Sequence, residues 1–133
     1  MSYNIKQYLI TNMAADWTHG KRAVQFCHAS MAVFFDKMID TGNPDGYFAV
    51  MTEDMKKWKE GSFAKITLKS PDLQIMLDLE NKANELNIPT ALIKDNGITQ
   101  ADENGMTLAI GPFDITNNNY SSIIENLSKL KLY

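Results

Sequence analysis

HGKRAVQFCHASMAVFFDKM, residues 19–38, is the stretch on which the reading of the fold turns. It is long, mostly apolar and free of proline, which predicts a helix over 20–39 that is covered on more than one side. Val24, Cys27, Met31, Phe34 and Phe35 share one broad face, with Phe26 and Val33 round the other side. Cys27, toward the apolar face, reads as a small hydrophobe. Against that background Lys21, Gln25, His28 and Ala32 fall within about 40° of one line at 100° per residue. An ammonium, an amide and an imidazole in one narrow stripe raise the question of what faces them.

Outward from this helix the periodicity divides cleanly. Residues 5–11 (IKQYLIT) read as a strand, and NMAADWTHG leads into the helix as a loop. On the other side TGNPDG (41–46) is a turn cluster, and TEDMKKWKE (52–60) a short amphipathic helix closed by Gly61. FAKITLK (63–69) has the β-branched alternation of a strand. Ser70 as cap, Pro71 in the first turn and Asp72 against the dipole predict a helix that ends near Asn87. TALIK (90–94) and MTLAIG (106–111) are further strands separated by the loop DNGITQADENG, and 117–130 closes the chain as a helix. The order β-α-α-β-α-β-β-α predicts an α/β fold, a sheet covered by helices with crossovers long enough for parallel pairing.

The chain has 133 residues, 44% of them hydrophobic, and residues 1–133 read as one domain. A net charge of −3 argues against an extended phosphate-coating surface and leaves room for a local basic patch at Lys21 and Arg22. One cysteine excludes an internal disulfide framework and fits a reducing cytoplasm. With two histidines and no CxxC, no metal site is expected, and no apolar run reaches the roughly 18 residues of a membrane span.

Four motifs occur in order. They are GKxxxQxxHA (Gly20, Lys21, Gln25, His28, Ala29), DxGxTQ (Asp95, Gly97, Thr99, Gln100), TLAIGP (107–112) and LKLY (130–133). Together they resemble the archaeal and eukaryotic-type, or type II, peptidyl-tRNA hydrolases over nearly the whole chain. The resemblance implies a four-stranded mixed sheet with helices on both faces, a homodimer, no cofactor, and peptidyl-tRNA as substrate, cleaved at the ester to the terminal ribose. It carries functional roles onto Lys21, Gln25, His28, Asp95, Thr99 and Thr107. The chain departs from the family's RxDLxM lead-in to the GK pair: Asn12, Ala14 and Trp17 stand there, without that arginine and aspartate.

An ester hydrolase must aim a water at a carbonyl and stabilise the oxyanion that forms. Lys21, beside outward-pointing amides at a helix start, suits a phosphate or oxyanion. Asp95, at a strand end, can orient or deprotonate the water, or pair with Lys21; the tight turn Asp-Asn-Gly alone would also account for it. Thr99 and Thr107 add hydroxyls on the same rim and complete the catalytic set. Gln25 can fix a water or a ribose hydroxyl, and Gly20, Arg22 and His28 join it as substrate-binding candidates. For His28 the competing reading is a core histidine bonded to a carbonyl. No GxSxG or Ser-His-Asp order points to covalent acyl transfer. Two other readings fit the same residues: a non-catalytic tRNA- or protein-binding member of the fold, and an esterase or amidase acting on small aminoacyl compounds.

Overall fold

The computed structural model describes residues 4–95 and 102–133. In chain order the elements are β1 (Ile5–Asn12), α1 (His19–Phe35), β2 (Met38–Asp40), β3 (Tyr47–Ala49), α2 (Glu53–Glu60), β4 (Ala64–Ser70), α3 (Leu73–Glu85), β5 (Thr90–Lys94), β6 (Met106–Asp114), α4 (Ser121–Ser128) and β7 (Lys131–Leu132). The main sheet is mixed and runs β5-β6-β1-β4-β7. Among the described residues only β1 and β4 pair in parallel, and they are joined by the long crossover through α1 and α2.

The α/β class is as expected, while the four-stranded sheet and the element order need correction. A fifth strand, β7, pairs antiparallel with β4 through Leu68–Leu132 and Lys69–Lys131, too short a pairing to show any alternation in sequence. A separate hairpin, β2–β3, occupies the turn cluster, where Thr41 N–H donates to the Gly46 carbonyl at 3.1 Å. That hairpin also shortens α1. The helix stops at Phe35 rather than residue 39, because residues 38–40 pair as a strand instead. The helix after β4 is capped by Asp72, whose side chain accepts from Ile75 N–H at 3.0 Å, rather than by Ser70, which belongs to β4.

Strand alternation sorts the side chains onto two faces. Tyr8, Ile10, Leu68, Leu108 and Ile110 face α3 and α4, while Leu9, Ala91 and Ala109 face α1 and α2. Between Lys6 and Tyr8 the pairing with β6 shifts register, so that Phe113 comes to lie on the α3/α4 face. Gly111 sits in that irregularity at φ +93°, where a Cβ would lie 2.8 Å from the Lys6 carbonyl oxygen.

Of the two apolar sides expected of α1, the one with Phe26 and Val33 is covered and the one with Val24, Met31 and Phe35 is not. Arg22, Gln25, Phe26, Ala29 and Val33 are buried, whereas Val24, Met31 and Phe35 are 51%, 53% and 52% exposed. Cys27 is exposed too, so it is not a core hydrophobe. The final LKLY residues tie the sheet edge to the start of α1. Tyr133 N–H donates to the Thr67 carbonyl, its hydroxyl bonds His19 Nδ1, and its ring packs edge-on against Phe26. Among the described residues no helix is long and apolar enough to cross a membrane.

Candidate functional site

The α1 stripe meets Asp95. One turn apart, Lys21 Nζ and Gln25 Nε2 converge on the same oxygen, Asp95 Oδ1, at 2.8 and 3.3 Å. The side chains of Lys21 and Asp95 are only 9% and 3% exposed, so this is a largely desolvated ion pair. Such a pair is held only where geometry and further hydrogen bonds compensate the loss of water, and here the Gln25 amide contributes. Lys21 is set by the first turn of α1, where the Thr18 hydroxyl accepts from Lys21 N–H at 3.2 Å. Asp95 is set from behind by its own N–H, which donates to the Gly105 carbonyl at 2.9 Å.

The loop that precedes α1 links the two halves of this pair. The Trp17 indole lies 5.7 Å from Lys21 Nζ and 5.9 Å from Arg22 Cζ, measured to the ring centroid. It also covers Gly105 so closely that a Cβ there would sit 2.5 Å from Trp17 Cζ2. Arg22 does not point to solvent. Its Nη1 donates to Thr11 Oγ1 and the Asn12 carbonyl at 2.8 and 2.9 Å, and its Nη2 to the Ala15 carbonyl at 2.6 Å. Asn12 Nδ2 donates to the Asn104 carbonyl at 2.9 Å. Asp102 accepts from Asp16 N–H and Asn104 N–H, at 2.7 and 2.8 Å. Those backbone donors, with the Arg22 charge, hold the Asp102 carboxyl below the usual carboxylate range. The stretch that departs from RxDLxM is thus cross-braced to residues 102–105 by other groups.

Thr107 stands opposite Thr11 across the β1–β6 pair, on the α1 side of the sheet. It is fully buried, and its hydroxyl has no hydrogen-bond partner among the described residues. A buried hydroxyl without a partner costs free energy until a ligand or water completes it. His28 is exposed rather than in the core; with Gln25, Ile93, Lys94 and Asp95 it lines a hollow of ≈ 230 Å³. Gly20 is exposed on the first turn of α1. Thr99, with Gly97 and Gln100, lies outside the described residues. Trp17, Gly105 and Asp102 were not among the expected site residues. A tryptophan in a loop of small residues was the one signal that pointed to them.

A family model described as Peptidyl-tRNA hydrolase PTH2 matches residues 5–133. The chain is 33% identical over 108 residues to "Probable peptidyl-tRNA hydrolase 2" of Dictyostelium discoideum, covering 80% of this chain and 47% of that protein. It is 37% identical over 111 residues to "Peptidyl-tRNA hydrolase 2" of Saccharomyces cerevisiae, covering 81% and 50%. Against "Peptidyl-tRNA hydrolase" of Sulfurisphaera tokodaii it is 32% identical over 108 residues, covering 80% and 84%. It therefore spans about half the length of the two eukaryotic relatives and most of the archaeal one.

Proposed function

Because the chain belongs to the peptidyl-tRNA hydrolase PTH2 family, we propose that it hydrolyses the ester joining a peptide, or an N-blocked amino acid, to the terminal ribose of tRNA, and so recycles the tRNA. The observation that carries this reading is the convergence of Lys21 and Gln25 on one Asp95 oxygen beside an open hollow. Asp95 takes a proton from a water as that water attacks the ester carbonyl. The Lys21 ammonium and the Thr107 hydroxyl, which has no partner among the described residues, stabilise the negative charge that develops on the carbonyl oxygen, and the family resemblance adds Thr99 to that role. As the intermediate collapses, the C–O bond to ribose breaks and Asp95 returns the proton to the departing ribose oxygen. Gln25 fixes the carboxylate, while Gly20 and His28 border the approach of the substrate. Arg22 acts on the substrate only through the loop that it holds.

The test is release of the N-blocked amino acid from an N-blocked aminoacyl-tRNA. Multiple turnover is expected. Salt-dependent tRNA binding without turnover would make the protein a non-catalytic binder, and cleavage of small aminoacyl esters with no preference for tRNA would make it an esterase.

Two copies pair in this reading, in the cytoplasm, where an exposed, unpaired Cys27 stays reduced. Support for pairing comes from the apolar α1 face of Val24, Met31 and Phe35, extended by exposed Tyr47, Phe48 and Val50 of the hairpin and the residue after it. One patch facing its own copy across a two-fold axis is self-complementary. Sedimentation should give a two-chain mass for the wild type and one chain for the Met31→Glu/Phe35→Glu variant; a monomeric wild type at tens of micromolar would end this part of the reading.

A further inference from the structure

The register of the sheet works as a ruler along the rim that carries the site. Asp95 follows the last residue of β5, and Lys94 pairs with Met106 at the start of β6. On β6, Thr107 pairs with Thr11 of β1; Asn12 pairs with Ser70 of β4; and Lys69 pairs with Lys131 of β7. All five strands therefore bring their ends to one edge. At a strand spacing of about 4.8 Å, β4 lies roughly 14 Å and β7 roughly 19 Å along that edge from β5.

At the far end of the rim, two lysines stand directly opposite each other across an antiparallel pair. Like charges in that position repel and destabilise the sheet. Lys129 joins them, and with Met13, Pro71 and Leu130 the three lysines line a hollow of ≈ 440 Å³. Among the described residues none of the three forms an ion pair. General basicity does not explain this concentration of positive charge, because the chain carries a net charge of −3. The hollow is also continuous with the site's own scaffold, since Met13, in the loop before α1, donates its N–H to the Ser70 carbonyl at 2.8 Å.

We propose that Lys69, Lys131 and Lys129 form a phosphate-binding site for the RNA backbone leading away from the ester held at Asp95. This rests on the hydrolase reading above for the identity of the RNA, while the charge arrangement stands without it. An arriving phosphate turns the Lys69–Lys131 repulsion into attraction, so the cost carried by the free protein is recovered only when the anion is bound. Because the lysines sit roughly 14 to 19 Å from the β5 end, counted in strand spacings, the phosphates concerned are those of the 3′-terminal nucleotides rather than the body of the tRNA.

The experiment measures binding of deacylated tRNA over a salt series for wild type, Lys69→Gln, Lys131→Gln and Lys69→Gln/Lys131→Gln, with turnover of N-blocked aminoacyl-tRNA alongside. Each lysine lost should lower the slope of log affinity against log salt by a little under one. The double variant should raise KM about tenfold or more with kcat within about twofold, because uniform binding is lost and the reacting groups are untouched. Its melting temperature should be equal to or above that of the wild type, since a repulsion has been removed. With tRNA lacking its single-stranded 3′ end, the variants and wild type should bind alike. An unchanged salt slope in the double variant overturns the proposal, as does an equal loss with the truncated tRNA. The binding arm reads out even if wild type shows no turnover, so failure of the hydrolase reading is separable from failure of this one.

Discussion

Asp95→Asn is expected to lower kcat by about 10²- to 10⁴-fold, the range that a positioned acid–base group contributes, and Lys21→Met to do the same by removing the charge that faces the oxyanion. Both substitutions also break a largely desolvated pair in which Nζ and Oδ1 are 2.8 Å apart. Removal of one partner of such a pair costs about 3–5 kcal/mol at full burial, less here because the hollow lets some water reach the survivor. Loss of stability and loss of turnover are thus confounded in the single variants. The double variant Lys21→Met/Asp95→Asn separates them. With neither charge present no uncompensated ion remains, so its melting temperature should recover most of what each single variant lost, while its turnover stays as low as theirs. Unfolding curves and single-turnover rates on the four proteins complete the cycle. Turnover within tenfold of wild type in either single variant would remove the pair from the chemistry, whatever happened to stability.

The same pair shows what the sequence makes legible. Lys21 and Gln25 are one turn apart on a helix, and a shared partner for them follows from that spacing. Asp95 opens a turn at a strand end, where α/β folds place ligand-binding groups. Hydrophobicity then accounts for Phe26 and Val33 but not for the rest of α1. Arg22 and Gln25 are buried because β1 and the loop after it deliver Thr11, Asn12 and Ala15 to Arg22, while Asp95 reaches Gln25 from 70 residues away, and helical periodicity encodes neither. Conversely, Val24, Met31 and Phe35 are apolar and exposed, which marks a surface rather than a core. The hairpin and β7 pair through two or three residues per strand, too few for a period of two to be seen. The bracing of Asn12 and Trp17 against residues 102–105 depends on tertiary contact across some 90 residues, and only the odd placement of a tryptophan hinted at it.

The division of the sheet into two faces makes a further result expected, in which stability changes and chemistry does not. Phe113 is 1% exposed and packs among Tyr8 and Tyr120, with ring centroids 5.8 and 5.5 Å away. It reaches the α3/α4 face only because of the register shift opposite Lys6 and Tyr8. Phe113→Ala removes a large buried ring and leaves a cavity that the surrounding sheet cannot close, a loss of about 3–5 kcal/mol. For a chain of this size that lowers the melting temperature by roughly 10–20 °C. Thr107, Lys21, Gln25 and Asp95 lie on the other side of β6, held by α1 and by residues 102–105, and the bonds that join Lys21, Gln25, Asp95 and Gly105 run between α1, Asp95 and Gly105 and not through Phe113. At temperatures well below its own melting transition the variant should therefore turn over substrate within about twofold of wild type. Scanning calorimetry paired with turnover at 15 °C checks both halves. A fall in turnover of more than tenfold in a folded variant would mean that the α3/α4 face sets the geometry of the site, and the separation of the two faces would have to be abandoned.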